Sequence, residues 1–484
     1  MRFARLAALV IAATLVPAAS ALAVNTPVIS DPYTNASSQH KTAVEPDTFA
    51  FGNTLVVTAQ IGRFFDGGAS GTGFATSTDS GATFTSGPLP GLTNQPPIGG
   101  GTFARTTDPV VAYDALHNVW MISSLALTAD VRGAAVVINR STDGGLTWPS
   151  VVTVASAPAG ADYDKNWVVC DNQPTSPFRG HCYHTWDDFG DGDRILMSTS
   201  IDGGLNWSDP IQTASGVFGL GGQPVVQPDG DVIVPASNAF ETAIIAFRST
   251  NGGVSWGDEV VVSRVRSHDV AGDLRNGPLP SAEIGSDGRV YAVWQDCRFV
   301  RGCKANDIVM STSDDGVTWS AVRRVPINDG ADHFIPGIGV NPTTTGQLGL
   351  TYYYYENPAC GTRRTAACQL RVGYVQSDDG GVHWSDKQVL AGPFQTAWTP
   401  DTSQGRMVGD YISTSWLNGR AWGAFAVAAE PVGGVFDQKI YVPQGGVLST
   451  GPFPNARVRE QSFSDNGARN ANPRSVIRPA RKAE

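Results

Sequence analysis

The chain has 484 residues, a formal net charge of −10 and only 16% charged residues, against 55 glycines and 31 prolines. The acidic balance argues against a nucleic-acid partner, and the composition reads as short strands and turns. After the first two dozen residues no long amphipathic helical pattern appears, which argues against a helical fold.

Residues 1–23 open with Arg2 and Arg5, continue through an apolar run from 6 to 17, and end in Ala21, Leu22 and Ala23 before Val24. That is the pattern of a secretory signal peptide cut after Ala23. The run is short for a membrane span and no second one follows, so a secreted, extracellular protein without a span is expected. The six cysteines fall into local pairs, Cys170 with Cys182, Cys297 with Cys303 and Cys360 with Cys368. Sequence alone leaves their connectivity open, but local disulfides are the simplest choice in an oxidising compartment. None of the pairs has the close spacing of a common structural zinc site.

Six octets punctuate the chain: STDSGATF (77–84), STDGGLTW (141–148), SIDGGLNW (200–207), STNGGVSW (249–256), TSDDGVTW (312–319) and SDDGGVHW (377–384). The Asp accepts hydrogen bonds from turn amides, the Gly supplies a backbone with φ > 0, and the closing aromatic buries a ring. Repetition at a near-regular period indicates stacked or radial units, and a residue present in every unit reads as scaffold. A second repeat precedes each octet, starting near Glu45, Asp108, Asp164, Gln223, Pro280, His333 and Gly409. That makes seven starts for six octets. The last unit has no octet after it, and residues 24–30 are placed to supply its missing outer strand.

The octets resemble the Asp-box, or BNR, repeat of the sialidase superfamily. The resemblance implies an all-β propeller of four-stranded antiparallel blades, each octet joining a blade's third and fourth strands. Seven blades are expected, with six, the usual sialidase number, as the alternative. The propeller spans 24–445, and residues 446–484 form a basic, Arg-rich tail that reads as disordered or as cell-surface binding.

In such a fold the strand starts gather around the axis on the face opposite the octets. That ring holds Glu45, Asp108, Asp164, Lys165, Gln223, His333, Asp410 and Tyr411, a set suited to polar recognition or acid–base work. The loops after the second strands add Arg63, Arg298, Arg301, Arg363 and Arg364 on the same face, and Arg406 lies five residues before Tyr411. Arginine forks bind the carboxylates of sialic and uronic acids. Sialidases use a Tyr nucleophile with a Glu partner, an Asp acid/base and three arginines. Their F/Y-R-I-P motif is absent here, since the first strand starts with Val44, Glu45, Pro46 and no Arg.

The expectation is a sialidase-like propeller that recognises a glycan or polysaccharide at its axial face. Exo-glycosidase action on acidic sugars would use Tyr411 with Asp108 or Glu45. Arg63, Arg298, Arg406, His333 and Asp410 would bind substrate. The alternative is a non-catalytic propeller binding a glycan, a cell surface or a protein. A polysaccharide lyase using His333 and Tyr411 is a third reading. Sequence does not decide between catalysis and binding. No cofactor is expected. One reading of the acidic loop 187–193 is a structural calcium site, although it lacks the spacing and terminal Glu of an EF-hand; the other is a plain polar hairpin.

Overall fold

The computed structural model describes residues 23–328, 330–360 and 368–448; all but the last residue of the expected signal peptide 1–23, together with Arg363, Arg364 and most of the basic tail, lie outside them. Among the described residues the fold is all-β, with two short 3₁₀ turns, Phe189–Asp191 and Thr396–Trp398.

The strands pair antiparallel in successive units, of which the first two share one eight-stranded sheet through the single pair Ala69–Thr106, while the short strands Asp401–Thr402 and Gly405–Arg406 pair apart from them. Gln39–Phe51, Thr54–Arg63, Ala69–Ser77 and Thr85–Pro88 form the first. Arg105–Asp114, Val119–Leu127, Gly133–Ser141 and Ser150–Ser156 form the second. The third has Tyr163–Cys170, Cys182–Asp188 and Arg194–Ser200, with an isolated bridge from Met197 to Ile211 in place of a fourth strand. The fourth to sixth begin with Val225–Val226, Ser281–Ile284 and Asp332–Val340. The seventh runs Ser413–Leu417, Arg420–Val432, Val435–Pro443, and its outer strand is Asn25–Ile29, paired Asn25 to Pro443 and Thr26 to Val442. The N-terminal strand therefore closes the last unit, as the missing fourth strand predicts.

The first strand of each unit packs against the first strands of its neighbours, and the seventh returns to the first. The core follows this ring. Apolar clusters lie between consecutive sheets, such as Met121, Ile138 and Trp186 between units two and three, or Val293, Met310 and Leu350 between five and six. The inner and middle strands of a sheet are thus buried on both faces, as Val119–Leu127 and Leu348–Tyr355 are along their whole length.

The octets are the turns after third strands. The Ser hydroxyl accepts the amide of the octet's second Gly, as Gly145 N–H does at 2.9 Å to Ser141 Oγ and Gly204 N–H at 2.9 Å to Ser200 Oγ. The Asp takes two or three hydrogen bonds from downstream, as Asp143 does from Leu146 N, Thr147 N and the Thr147 hydroxyl. Trp148, Trp256 and Trp384 are buried, while Phe84, Trp207 and Trp319 are half-buried. The fifth octet differs from the pattern. Ser313 and Asp315 make its turn, with Thr318 N–H donating to Asp315 at 2.6 Å, while Asp314 pairs outward with Arg289. The turn is one residue tighter there, so the sequence pattern put the key Asp one position early.

All three disulfides join the local pairs. The Cys170–Cys182 pair sits directly across the first two strands of unit three.

Candidate active site

A repeated backbone device builds the polar mouth. The first strands of units one, two, three and six share a register break, between Val44 and Asp47, Thr107 and Val110, Asp164 and Trp167, and Phe334 and Gly337, and unit one has another between Gln39 and Ala43. At each shared break a non-glycine residue adopts φ near 50°: Glu45, Asp108, Lys165 and Ile335. Bulges of this kind re-aim a side chain, and strain of this kind gathers at functional sites. In three units the re-aimed side chain is ionisable. In the sixth it is Ile335, so His333, two residues earlier, does not reach the mouth.

Asp410 is the hub. Its carboxylate accepts Lys165 Nζ at 2.5 Å and Arg275 Nε at 2.7 Å, with a further Arg275 Nη2 contact, while Lys165 also lies 3.5 Å from Asp108. Glu45 accepts the Asp410 amide at 3.2 Å and the Gln60 side-chain amide, and Gln60 also donates to the Thr107 hydroxyl at 2.8 Å. Burial alone would raise Asp410, but the Arg275 and Lys165 charges outweigh it and hold its carboxyl well below the usual range. Burial works against charge on Lys165 too, and Asp108 and Asp410 reverse it. Glu45 goes the other way: burial, then Asp108 and Asp410, push it well above the usual range.

A narrow slot of about 50 Å³ opens over this cluster, lined by Arg63, Asp108, Asp164, Lys165 and Arg275, with Gln404 at its side. Burial raises Asp164 to about 7, with Lys165 opposing and Asp108 adding to the rise. Arg63 is buried, donates from Nη1 to Gln60 and to the Gly68 carbonyl, and its Nε has no partner among the described residues. Burial and the Arg275 charge lower it to about 10. The glycines here are obligatory. A Cβ on Gly409 would lie 2.8 Å from the Glu45 backbone, and one on Gly405 2.3 Å from the Asp273 carbonyl.

Other expected site residues lie elsewhere. Tyr411 is buried at 7% exposure, its hydroxyl donates to the Pro109 carbonyl at 3.0 Å, and it does not line the slot. Burial, Glu45 and Asp108 push that phenol well above its ordinary value, so it holds its proton. Arg298, in the loop stapled by Cys297–Cys303, is paired with Asp296 and with Ser263 and the Arg264 carbonyl on the strand Val260–Arg264. Arg406 donates to the Thr399 carbonyl, and its backbone bridges to 273–275, which fixes Arg275 in place. His333 is buried against Tyr352 and Tyr354. Gln223 accepts the Ala282 amide. In the loop 187–193, Asp188 caps Phe189–Asp191 by accepting Gly190 N–H, and among the described residues no group of three or more His, Cys, Asp or Glu is arranged to hold a metal. Arg275 had no sequence signal, because it belongs to a connector between units and falls outside both repeats.

Residues 236–411 match the BNR repeat-like domain family. Among curated proteins, a Paenibacillus xyloglucanase is 29% identical over 220 residues, 43% of this chain, and the chain covers 20% of that protein's length. Among solved structures, a polysaccharide lyase, an ulvan lyase bound to -[GlcA(1-4)Rha3S]-, has a TM-score of 0.50 at 10% identity, covering 88% of this chain and 97% of its own. A microbial sialidase, Hz136, has a TM-score of 0.43 at 14% identity, over 79% and 75% of the two chains, and carries no argument at that distance. The family match takes in three of the six octets, 249–256, 312–319 and 377–384, and is consistent with a BNR-repeat fold.

Proposed function

We propose that this chain is a secreted seven-bladed propeller that binds a glycan chain end at the polar slot and hydrolyses its terminal linkage. The seven first strands, each packed on the next, support the blade count, and three disulfides support an oxidising, extracellular location. The xyloglucanase relative and the ulvan lyase fold support a carbohydrate ligand. The observation that carries hydrolysis is Asp164, a slot-lining carboxyl raised to about 7 beside Asp108. A carboxyl still protonated near neutrality can give its proton to a leaving oxygen, and a second carboxyl in the slot can assist attack. Asp164 is the acid and Asp108 its partner. Arg63, which lines the slot and whose Nε has no partner among the described residues, is the anchor for an acidic sugar's carboxylate. A slot this small admits one substituent, which suits exo action.

A panel of aryl glycosides, uronides and a sialoside included, tests this with Asp164→Asn and Asp108→Asn variants. Turnover should decline above about pH 7 as Asp164 loses its proton, and each variant should abolish it with the melting temperature kept. Retained turnover in Asp164→Asn removes the residue from the mechanism. The second reading, binding without turnover, is favoured by one fact: Lys165 and Arg275 are both already paired with Asp410. Saturable glycan binding with no product from any member of the panel would establish it.

A further inference from the structure

A larger cavity occupies the other end of the axis. It measures about 350 Å³ and takes its lining from the first strands of all seven units, in their later halves and the turns that follow. Because first and third strands run parallel, this funnel opens on the face that carries the octets, opposite the polar slot. Its size falls in the roughly 300–1,000 Å³ range of small-ligand pockets. Aromatic rings supply much of the wall: Phe49, Phe51, Tyr113, Trp167 and Trp416. Phe51 stands at the rim, 42% exposed, with its ring 4.5 Å from that of Tyr113.

The charge in the funnel is one-sided. Two carboxyls line it, Asp47 and Glu283, and no Lys, Arg or His does. Among the described residues no ion pair reaches either of them. Asp47 accepts the Val111 amide at 2.7 Å, a neutral donor that leaves the charge uncompensated. We propose that the funnel is a second ligand site, separate from the slot, and that it takes an organic cation: a protonated amine on an apolar or aromatic body. Carboxylates meet the ammonium and ring faces meet both the charge and the body. An anion is refused by the two acids, and a neutral ligand leaves them uncompensated.

Titration behaviour agrees with the geometry. Burial raises Asp47 to about 7, and burial followed by the Asp47 charge raises Glu283 to about 8. The other titratable groups nearby are the phenols of Tyr113, lining the funnel, Tyr411, behind Asp47, and Tyr291, across the strand pair from Glu283; burial pushes all three above their usual value, while Cys170 is held in its disulfide. The two carboxyls are therefore what changes charge near neutrality. At low pH they are protonated and the site is neutral; as pH rises they ionise and a cation is drawn in.

The test is calorimetric titration of the whole protein with phenethylammonium and with 2-phenylethanol, the same body without charge. The amine should bind about tenfold or more tighter than the alcohol, and about tenfold tighter near pH 8.5 than near pH 6, with protons released on binding. Glu283→Gln should remove most of that pH gain, and Phe51→Ala, at an exposed rim position, should weaken both ligands. Equal affinities, a flat pH profile, no amine binding, or a neutral oligosaccharide that displaces the amine would each overturn the proposal.

Discussion

Replacing Asp410 by Asn keeps the side chain's shape and removes one charge from the middle of the mouth. The carboxylate is fully buried and holds two cations, Lys165 at 2.5 Å and Arg275 at 2.7 Å, whose own side chains are 4% and 10% exposed. Breaking a buried pair from one side costs about 3–5 kcal/mol, because the partner is left charged and dry. Here two partners are stranded, and only Lys165 keeps a second carboxylate, Asp108 at 3.5 Å. For a chain of this size the unfolding entropy is roughly 1 kcal/mol per K, so the melting temperature should fall by about 3–5 °C. Scanning calorimetry and urea unfolding read the change. Adding Arg275→Met should return part of the loss, since one stranded cation is then gone. A loss below about 1 kcal/mol, or a double variant whose losses simply add, would refute the hub.

Tyr411→Phe leaves the buried Pro109 carbonyl without its donor, so urea unfolding should show a loss of about 1–3 kcal/mol, while any glycoside turnover persists because the hydroxyl lies outside the slot. In the fifth octet, Asp315→Ala should cost about 1–2 kcal/mol and Asp314→Ala less than about 0.5, measured side by side, since only Asp315 holds the turn amides. Burial holds Glu241, Glu283 and Asp332 protonated up to about 8 in the folded protein. Unfolded, such groups release the proton at about 4, so between about pH 4 and 8 the folded state binds more protons and stability falls as pH rises. Melting temperature should therefore peak near about pH 5 and decline toward about pH 8, and Glu241→Gln should flatten the decline.

The sequence made the repeat visible because a turn that needs Ser, Asp, Gly and an aromatic at fixed offsets leaves the same mark in every unit. The closing strand was legible for a related reason: a unit with three strands and no octet lacks an edge partner, and the N-terminus carries an apolar segment to fill it. The strand-start residues were legible only in part. Glu45 and Asp108 stand before a Pro at a bulge, and Lys165 occupies the same place before Asn166, so position alone located them. In unit six the eye falls on His333, but the bulge lies at Ile335, and a two-residue slip exchanges a mouth position for a buried one. Arg275 could not be read at all, since what places it is a bridge between two connectors 132 residues apart, Leu274 to Arg406. Nor could the fate of Tyr411, whose hydroxyl is claimed by a carbonyl from another unit.

The pairing of Asn25 with Pro443 also sets an order of events. During synthesis the segment 25–29 emerges ahead of every residue of the sheet it finally joins, and it must wait while more than four hundred others are made. Contacts this remote in sequence form slowly, and until they do Val28 and Ile29, buried in the finished sheet, are exposed together with the unpaired edge of Val435–Pro443. A molecule caught before that moment is a ring with a gap, open to proteases and to other chains at the same two edges. Resistance to proteolysis at those two edges should therefore rise only once Asn25–Ile29 has paired with Val435–Pro443.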